Sequence, residues 1–148
     1  MTPLLLAILA AFAGATGPVD TAVTVILGAT LLDGGGRAPV PDSVVVIRGT
    51  RIAAVGDRIH TPIPKGASLV DGRRAWIAPA PGRADPGDAI GRAVAGIVRG
   101  PVARVQVGQA AHLALLDADP RRDDGGPDRV RRLWISGASR EMAAEAVR

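Results

Sequence analysis

The segment from Ser43 to Val55 constrains the fold of this chain more than any other. Ser43–Arg48 and Arg51–Val55 are two runs of apolar and mostly β-branched residues, and Gly49-Thr50 separates them. Two strand-like runs on either side of a two-residue loop that contains glycine are typical of a β-hairpin. The sequence therefore predicts antiparallel β-structure in this segment.

Short runs of the same kind recur along the chain, and glycine and proline separate them. This spacing is typical of a small sandwich or barrel, so we predict a mainly β fold, a small β-sandwich or barrel-like composite domain with one or two short helices. Those helices are Ala89–Val98, which Asp88 would cap, and Ser139–Arg148. The further predicted strands are Val23–Leu27 continued by Thr30–Leu32, Ser68–Val70, Ala75–Ala78, Val102–Val107, Leu113–Leu116 and Val130–Ile135.

Composition excludes several classes of function. Apolar residues make up 47% of the chain but aromatic residues only 2%, so the core must consist of Val, Ile, Leu and Ala. The chain has no cysteine, which excludes disulfides, thiolate metal sites and cysteine nucleophiles. The net charge of +4 comes from interspersed basic and acidic residues with few aromatic side chains for base stacking, so no nucleic-acid partner is predicted.

The N-terminus has the pattern of a signal peptide. Leu4–Ala15 is an apolar run, too short for a bilayer span of about 20 residues. Ala13-Gly14-Ala15 forms a small-residue cleavage site before Thr16. We expect a signal peptide over residues 1–15, export to the periplasm or the extracellular space, and no stable membrane span. Because no Lys or Arg precedes the apolar run, an uncleaved anchor or a buried helix is the alternative.

Five segments of the chain occur in the order of a known enzyme family. They are residues 25–34 (VILGATLLDG), 44–56 (VVVIRGTRIAAVG), 70–79, 107–120 (VGQAAHLALLDADP) and 129–137 (RVRRLWISG). The first three resemble the opening strands, the hairpin and the lead-in to the first barrel strand of the amidohydrolase superfamily, and the last two resemble its segments after the barrel. The resemblance is nearest to the imidazolonepropionase-like metal-dependent hydrolases. It implies a composite β-domain, formed by both segments, beside a catalytic (β/α)8 barrel.

The barrel itself is missing between these segments. In the family, the lead-in continues into Pro-Gly and then a His-x-His motif that binds the metal, whereas here Pro79 is followed by APGRADP. Only about 20 residues separate Gly82 from Val102, while a (β/α)8 barrel takes about 200 or more. The resemblance therefore divides the chain into a lead-in (16–22), two halves of a β-domain (23–79 and 102–137), a linker with a short helix between them (80–101), and a terminal helix or tail (138–148).

The inventory of metal ligands is also short. A metal site of this family needs about three or four imidazoles and a carboxylate, sometimes with a carboxylated lysine. The chain has two histidines, His60 and His112, and its one lysine is Lys65. None of them stands at a position where the family places a ligand. We therefore predict no catalytic, cofactor-binding or metal-binding residue, and none of the zinc or similar divalent metal that the family uses.

Weaker patterns each have an ordinary structural explanation. Asp85 and Asp88 have the spacing of an acid–base pair, but they lie in a Pro- and Gly-rich linker rather than a cleft. Ser136 and Ser139 lack the sequence context of a catalytic nucleophile. Gly34–Gly36 lacks a phosphate-binding motif and favours a turn. Trp76 and Trp134 are expected in the core or at an interface. The acidic residues that suggest a calcium loop, but lack its ligand spacing, are Asp117, Asp119, Asp123, Asp124 and Asp128.

Two functions follow from these observations. The first is an amidohydrolase-related β-domain without catalysis of its own, a remnant or an interaction module. Its partner would be a second copy of the chain or a barrel-bearing protein, bound through the surface that would face the barrel. The alternative is a metal-dependent hydrolase of non-peptide C–N bonds, active only when a partner supplies the barrel and the metal site.

Overall fold

A computed structural model describes residues 22–80, 104–122 and 130–141. These residues form one mixed β-sheet and contain no helix. The mainly β prediction is confirmed. The strands are β1 (Val23–Leu31), β2 (Val40–Arg48), β3 (Arg51–Asp57), β4 (Ser68–Asp71), β5 (Trp76–Pro79), β6 (Leu113–Leu116), β7 (Val130–Ile135) and β8 (Ala138–Glu141). Their order in the sheet is β3-β2-β1-β5-β6-β7-β8, and β4 pairs with β1.

The predicted hairpin is confirmed as β2 and β3. The two strands pair antiparallel around Gly49-Thr50, where Gly49 adopts a φ of 57° that glycine tolerates without strain. Both strands extend past the predicted bounds, β2 back to Val40 and β3 on to Asp57. β1 pairs antiparallel with the other side of β2. Three consecutive strands therefore form one half of the sheet.

β4 and β5 share the second edge of β1 and act as one interrupted strand. Both run parallel to β1, β4 beside Thr24–Leu27 and β5 beside Thr30 and Leu31. The interruption lies at Gly72, whose N–H donates to the Leu27 carbonyl at 2.7 Å. A Cβ at this glycine would lie 2.8 Å from the Ala29 Cβ, so a larger residue does not fit between the strands.

The sheet is continued by pairing between β5 and β6. Their antiparallel register runs from Trp76 opposite Leu116 to Pro79 opposite Leu113. The Ala80 N–H extends this ladder with a hydrogen bond of 3.0 Å to the His112 carbonyl. Residues on the two sides of the predicted linker are thus direct neighbours in one sheet.

The main core lies on one face of this sheet. Because side chains from six strands contact one another there, the sheet must curl around them. It does not close into a barrel, because its two terminal strands, β3 and β8, do not pair with each other. The edge of β3 instead meets the segment before β6, where the Ile52 N–H donates to the Gln109 carbonyl at 2.9 Å. The core consists of Ile26, Ala29, Leu31, Val45, Ile47, Ile52, Ala75, Ile77, Val105, Ala111, Leu113, Leu115 and Trp134.

Two predicted elements are wrong where the structure describes them. Residues 104–107 of the predicted strand Val102–Val107 are irregular; the Val105 N–H donates to the Asp33 carbonyl at 3.0 Å, and the Val105 side chain enters the core. Ser139–Glu141 belong to β8 and not to a helix, because the turn at Ser136-Gly137 returns the chain along β7. Tertiary pairing here overrides helix propensity.

Other predictions fall outside the described residues. They are the signal peptide over 1–15, the lead-in up to residue 21, the helix Ala89–Val98 and the end of the terminal helix, residues 142–148. Within the described ranges, no helix is long and apolar enough to cross a membrane.

Candidate functional site

His60 lies in the turn after β3, where it is bound by a carboxylate. Its Nδ1 lies 2.8 Å from each carboxylate oxygen of Asp57, and its backbone N–H donates to Asp57 Oδ1 at 2.8 Å. The hydrogen bond from the His60 ring is the largest cause that lowers the pKa of Asp57 below its usual value. The His60 side chain is 78% exposed. The pair therefore closes a surface turn.

His112 has a different position and a different partner. It precedes β6, and its Nδ1 accepts a hydrogen bond of 3.1 Å from the Ser136 backbone N–H. This contact ties the start of β6 to the turn between β7 and β8. Within residues 22–80, 104–122 and 130–141, no group of three or more His, Cys, Asp or Glu side chains is placed to hold a metal ion.

The acidic residues after β6 bind arginines. Asp117 Oδ1 accepts from Arg131 Nε at 2.9 Å, and Asp119 Oδ2 accepts from Arg121 Nη2 at 2.8 Å. The hydrogen bond from the Arg121 side chain is the main cause that lowers the pKa of Asp119. Carboxylates that are already paired with guanidinium groups are poor candidates for a calcium site. Asp123, Asp124 and Asp128 lie outside the described residues.

The glycine-rich segment after β1 is a turn. Asp33 Oδ1 accepts the Gly35 N–H at 2.7 Å, and Gly34 and Gly36 have φ values of 80° and 79°. Ser136 lies in the turn before β8 with a φ of 49°, and Ser139 is exposed on β8. Asp85 and Asp88 lie outside the described residues.

The two tryptophans have structural contacts. Trp134 is completely buried in the main core. Trp76 is partly buried on the opposite face of the sheet, and the Arg121 guanidinium carbon lies 5.3 Å from its ring centroid. That distance is within the range of a cation–π contact.

The sequence did not predict a cavity of about 390 Å³ beside the segment 104–107. The cavity lies between the end of β1, the start of β2, β3 and this segment. Its walls come from residues 31–56 and residues 104–107, which are at least 48 positions apart, so no local pattern signals it. The lining residues are Leu31, Asp33, Arg37, Ala38, Val40, Val55, Gly56, Arg104, Val105, Gln106 and Val107.

Comparison with known proteins agrees with the sequence resemblance. No protein-family model matches the chain. Over 55 residues the chain is 44% identical to the N-acyl-D-aspartate deacylase of Alcaligenes xylosoxydans xylosoxydans, a match that spans 37% of this chain and 10% of the deacylase. The chain thus covers about a tenth of the length of that relative.

Solved structures of hydrolases match a similar share of the chain. Phenylurea hydrolase B is 42% identical with a TM-score of 0.38, and molinate hydrolase is 33% identical with a TM-score of 0.37. Each match covers 40% of this chain and 13% of the hydrolase. Over this shared portion, the chain is similar to members of the amidohydrolase superfamily.

Proposed function

We propose that this chain is an amidohydrolase-type β-domain that works as an interaction module and does not hydrolyse a substrate by itself. The observation that carries the proposal is the direct pairing of β5 with β6. Pro79 precedes the position where a family barrel would begin, and Leu113 follows the position where it would end. Because these residues face each other across one ladder, the β-sheet is continuous without a barrel.

The histidine inventory supports the same proposal. Only His60 and His112 are available as imidazole ligands in the 148 residues. One is bound to Asp57 and the other to the Ser136 backbone. A hydrolytic zinc site requires about three protein ligands around one open position, which these two residues do not supply.

The edges of the sheet support a role in association. Among the described residues, β8 pairs only with β7, and β4 pairs only with β1. Edge strands present unpaired backbone groups that can bind another strand. Leu69 on β4 is 62% exposed. The partner we propose is a second copy of the chain or a barrel-bearing protein, met after export through the signal peptide over residues 1–15.

Metal content and turnover test the lack of catalysis. The purified chain should contain far less than one zinc per molecule and should not hydrolyse N-acyl amino acids or cyclic amides above the buffer rate. A full-length amidohydrolase, treated in the same way, is the positive control. Stoichiometric zinc together with turnover contradicts the proposal.

Analytical ultracentrifugation tests the association. We expect the sedimentation coefficient to rise with concentration, or to rise on mixing with a purified barrel-bearing amidohydrolase. Leu69→Asp on the β4 edge should weaken this association, while Ile59→Asp, which changes an 89% exposed residue in the turn after β3, should leave it unchanged. A monomer at every concentration, alone and in the mixture, contradicts the interaction role.

The second candidate is a metal-dependent hydrolase of C–N bonds whose barrel is supplied by a partner. The 44% identity to a deacylase favours it. Mixing experiments separate it from the first candidate. Hydrolysis by the mixture that exceeds the rate of the barrel-bearing protein alone supports a shared active site, and an unchanged rate supports the interaction module.

A further inference from the structure

The cavity beside the segment 104–107 has an uneven distribution of polar groups. Part of its lining is apolar, because Leu31, Val40, Val55 and Val105 belong to the main core or pack against it. Among the residues that the structure describes, its charged residues come from two places, the loop between β1 and β2 and the start of the segment 104–107. These charged residues are Asp33, Arg37 and Arg104.

The carboxylate in this group is engaged in the structure of the turn. Asp33 Oδ1 accepts the Gly35 N–H at 2.7 Å, and the Asp33 carbonyl accepts the Val105 N–H at 3.0 Å. Arg37 approaches the other carboxylate oxygen only at 3.6 Å, and its side chain is 85% exposed. Counted over the described residues, two guanidinium groups and one engaged carboxylate give this end of the cavity a net positive charge.

A second opening, also lined by described residues, has a different electrostatic character. It has a volume of about 420 Å³ and lies between β4 and the β7–β8 pair. Each charged residue on its walls has an oppositely charged neighbour, so it offers no net charge to a ligand. The pairs are Asp71 with Arg73, Arg131 with Asp117, and Arg132 with Glu141.

From this contrast we propose that the cavity beside the segment 104–107 binds a small amphipathic carboxylate. Its carboxylate would lie at Arg37 and Arg104, because planar guanidinium groups bind carboxylates with two parallel hydrogen bonds. Its aliphatic chain would lie along Val40, Val55 and Val107. Val107 is 55% exposed, so a bound chain would remove apolar surface from water.

The size of the cavity limits the ligand to a small molecule. A volume of about 390 Å³ is near the lower end of the range for small-molecule pockets. A straight-chain carboxylate of about eight carbons has an apolar part of suitable size and one negative charge. This inference is independent of the proposed interaction role, since the cavity is formed within one copy of the chain.

Titration with sodium octanoate, followed by amide chemical shifts, tests the proposal on the full chain. We expect a dissociation constant of about 1 mM or tighter, which small ligands of this size reach. The largest shifts should fall on residues 37–40, 55–56 and 104–107. Octylamine, which has the same number of carbons and the opposite charge, should bind at least about tenfold more weakly.

Variants separate the two parts of the site. The double change Arg37→Gln and Arg104→Gln should weaken octanoate binding at least about tenfold, since it removes both cationic groups. Arg122→Gln changes an exposed arginine that does not line the cavity and should leave binding unchanged. Ala38→Trp should fill the cavity and abolish binding while the shifts of the β6–β7 amides stay in place.

Three results would overturn the proposal. The first is the absence of saturable shifts from octanoate, and the second is equal binding of octylamine. The third is binding that survives both the double arginine change and Ala38→Trp in folded protein. The metal and turnover assays do not depend on this cavity, so a failure here leaves the proposed function to be judged separately.

Discussion

β2 pairs with β1 and β3, the strands before and after it in the chain, whereas β5 and β6 pair across a long gap. The β2–β3 turn has two residues, but Pro79 and its partner Leu113 are 34 positions apart. The strands differ in length as well: β1 and β2 have nine residues each, and β5, β6 and β8 have four. We refer to β1–β3 as the local half and to β5–β8 as the return half.

This difference shows where the return half obtains its stability. Closing a longer loop costs more conformational entropy, and four-residue strands contribute few ladder hydrogen bonds. The return half therefore depends on contacts with the local half. Two such contacts are at the hairpin turn, where the Ala111 N–H donates to the Thr50 carbonyl at 2.8 Å and Gly137 packs on Gly49.

The largest expected effect comes from a substitution at Gly137. Its φ of 78° disfavours any side chain, and an added Cβ would lie 1.8 Å from the Gly49 carbonyl oxygen. Gly137→Ala should therefore lower the free energy of unfolding by about 3 kcal/mol or more, because it forces the two halves apart. Urea denaturation, followed by circular dichroism, measures the change.

Gly66→Ala is the matched control for this contact. Gly66 has a φ of 76°, but an added Cβ would meet no atom within 4 Å. We expect a loss of about 1 kcal/mol, from backbone strain alone. Equal losses at the two glycines would mean that the contact between the halves contributes nothing to stability.

Replacing a core residue in either half should have the next largest effect on the free energy of unfolding. Ile47 on β2 and Leu115 on β6 are both buried in the main core, with exposures of 1% and 0%. Replacing either with alanine should cost about 2–5 kcal/mol in the free energy of unfolding, through lost burial and the cavity that remains. Equilibrium denaturation alone should not distinguish the two variants.

Folding kinetics should distinguish them. The local half needs only short loop closures, so we expect it to form first. Ile47→Ala should mainly slow folding, and Leu115→Ala should mainly speed unfolding. Stopped-flow measurements over a range of urea concentrations give both rates. If Leu115→Ala slows folding as much as Ile47→Ala, the order of formation that we infer is wrong.

The smallest expected effect concerns acid stability. Asp119 in the return half and Asp71 on β4, the strand that pairs with β1 of the local half, both have lowered pKa values, chiefly through side-chain hydrogen bonds from Arg121 and Arg73. A carboxyl group whose pKa is lower in the folded state than in the unfolded state stabilises the folded state at pH values above its unfolded pKa of about 3.9. This stability is lost as the pH falls below that value, toward the lower folded pKa.

Asn substitutions compare the two carboxylates. The Asp119 side chain is 10% exposed and the Asp71 side chain 60%, so solvent screens the second pair more strongly. The free energy of unfolding falls between pH 7 and pH 3, and this fall should be about 1 kcal/mol smaller in the Asp119→Asn variant than in the unchanged chain. The effect of Asp71→Asn should be weaker. Urea midpoints at both pH values provide the test. A larger effect at Asp71 would contradict the role of burial.

The sequence predicted elements that depend on local patterns and missed elements that depend on distant partners. Ser43–Val55 contains both strands and the turn of its hairpin, so its pattern was sufficient. Ser139–Glu141 have helix-forming neighbours, yet they pair with β7 because the turn at Ser136-Gly137 places them there. Residues 104–107 contain valines typical of a strand, but Val105 bonds to Asp33 and fills the core instead.

The features of the candidate sites also divide into those that the sequence predicted and those that depend on distant partners. The residue inventory alone showed that imidazole ligands are scarce and that thiolate ligands are absent from the chain. It did not show that His60 binds Asp57 or that His112 binds the Ser136 backbone. The cavity at Arg37 and Arg104 was also not predictable, because its two sides are brought together only by the fold.

By itself, the sequence determined the mainly β class, the hairpin and the resemblance to amidohydrolases, since each depends on residues that are close in the chain or on segments in a known order. Only the tertiary structure decided that β5 pairs with β6, that residues 104–107 enclose a cavity, and that Gly137 packs against Gly49. The physical reason is that these contacts join residues tens of positions apart. Their formation depends on loop closure and on the burial of a shared core, which periodicity along the chain does not encode.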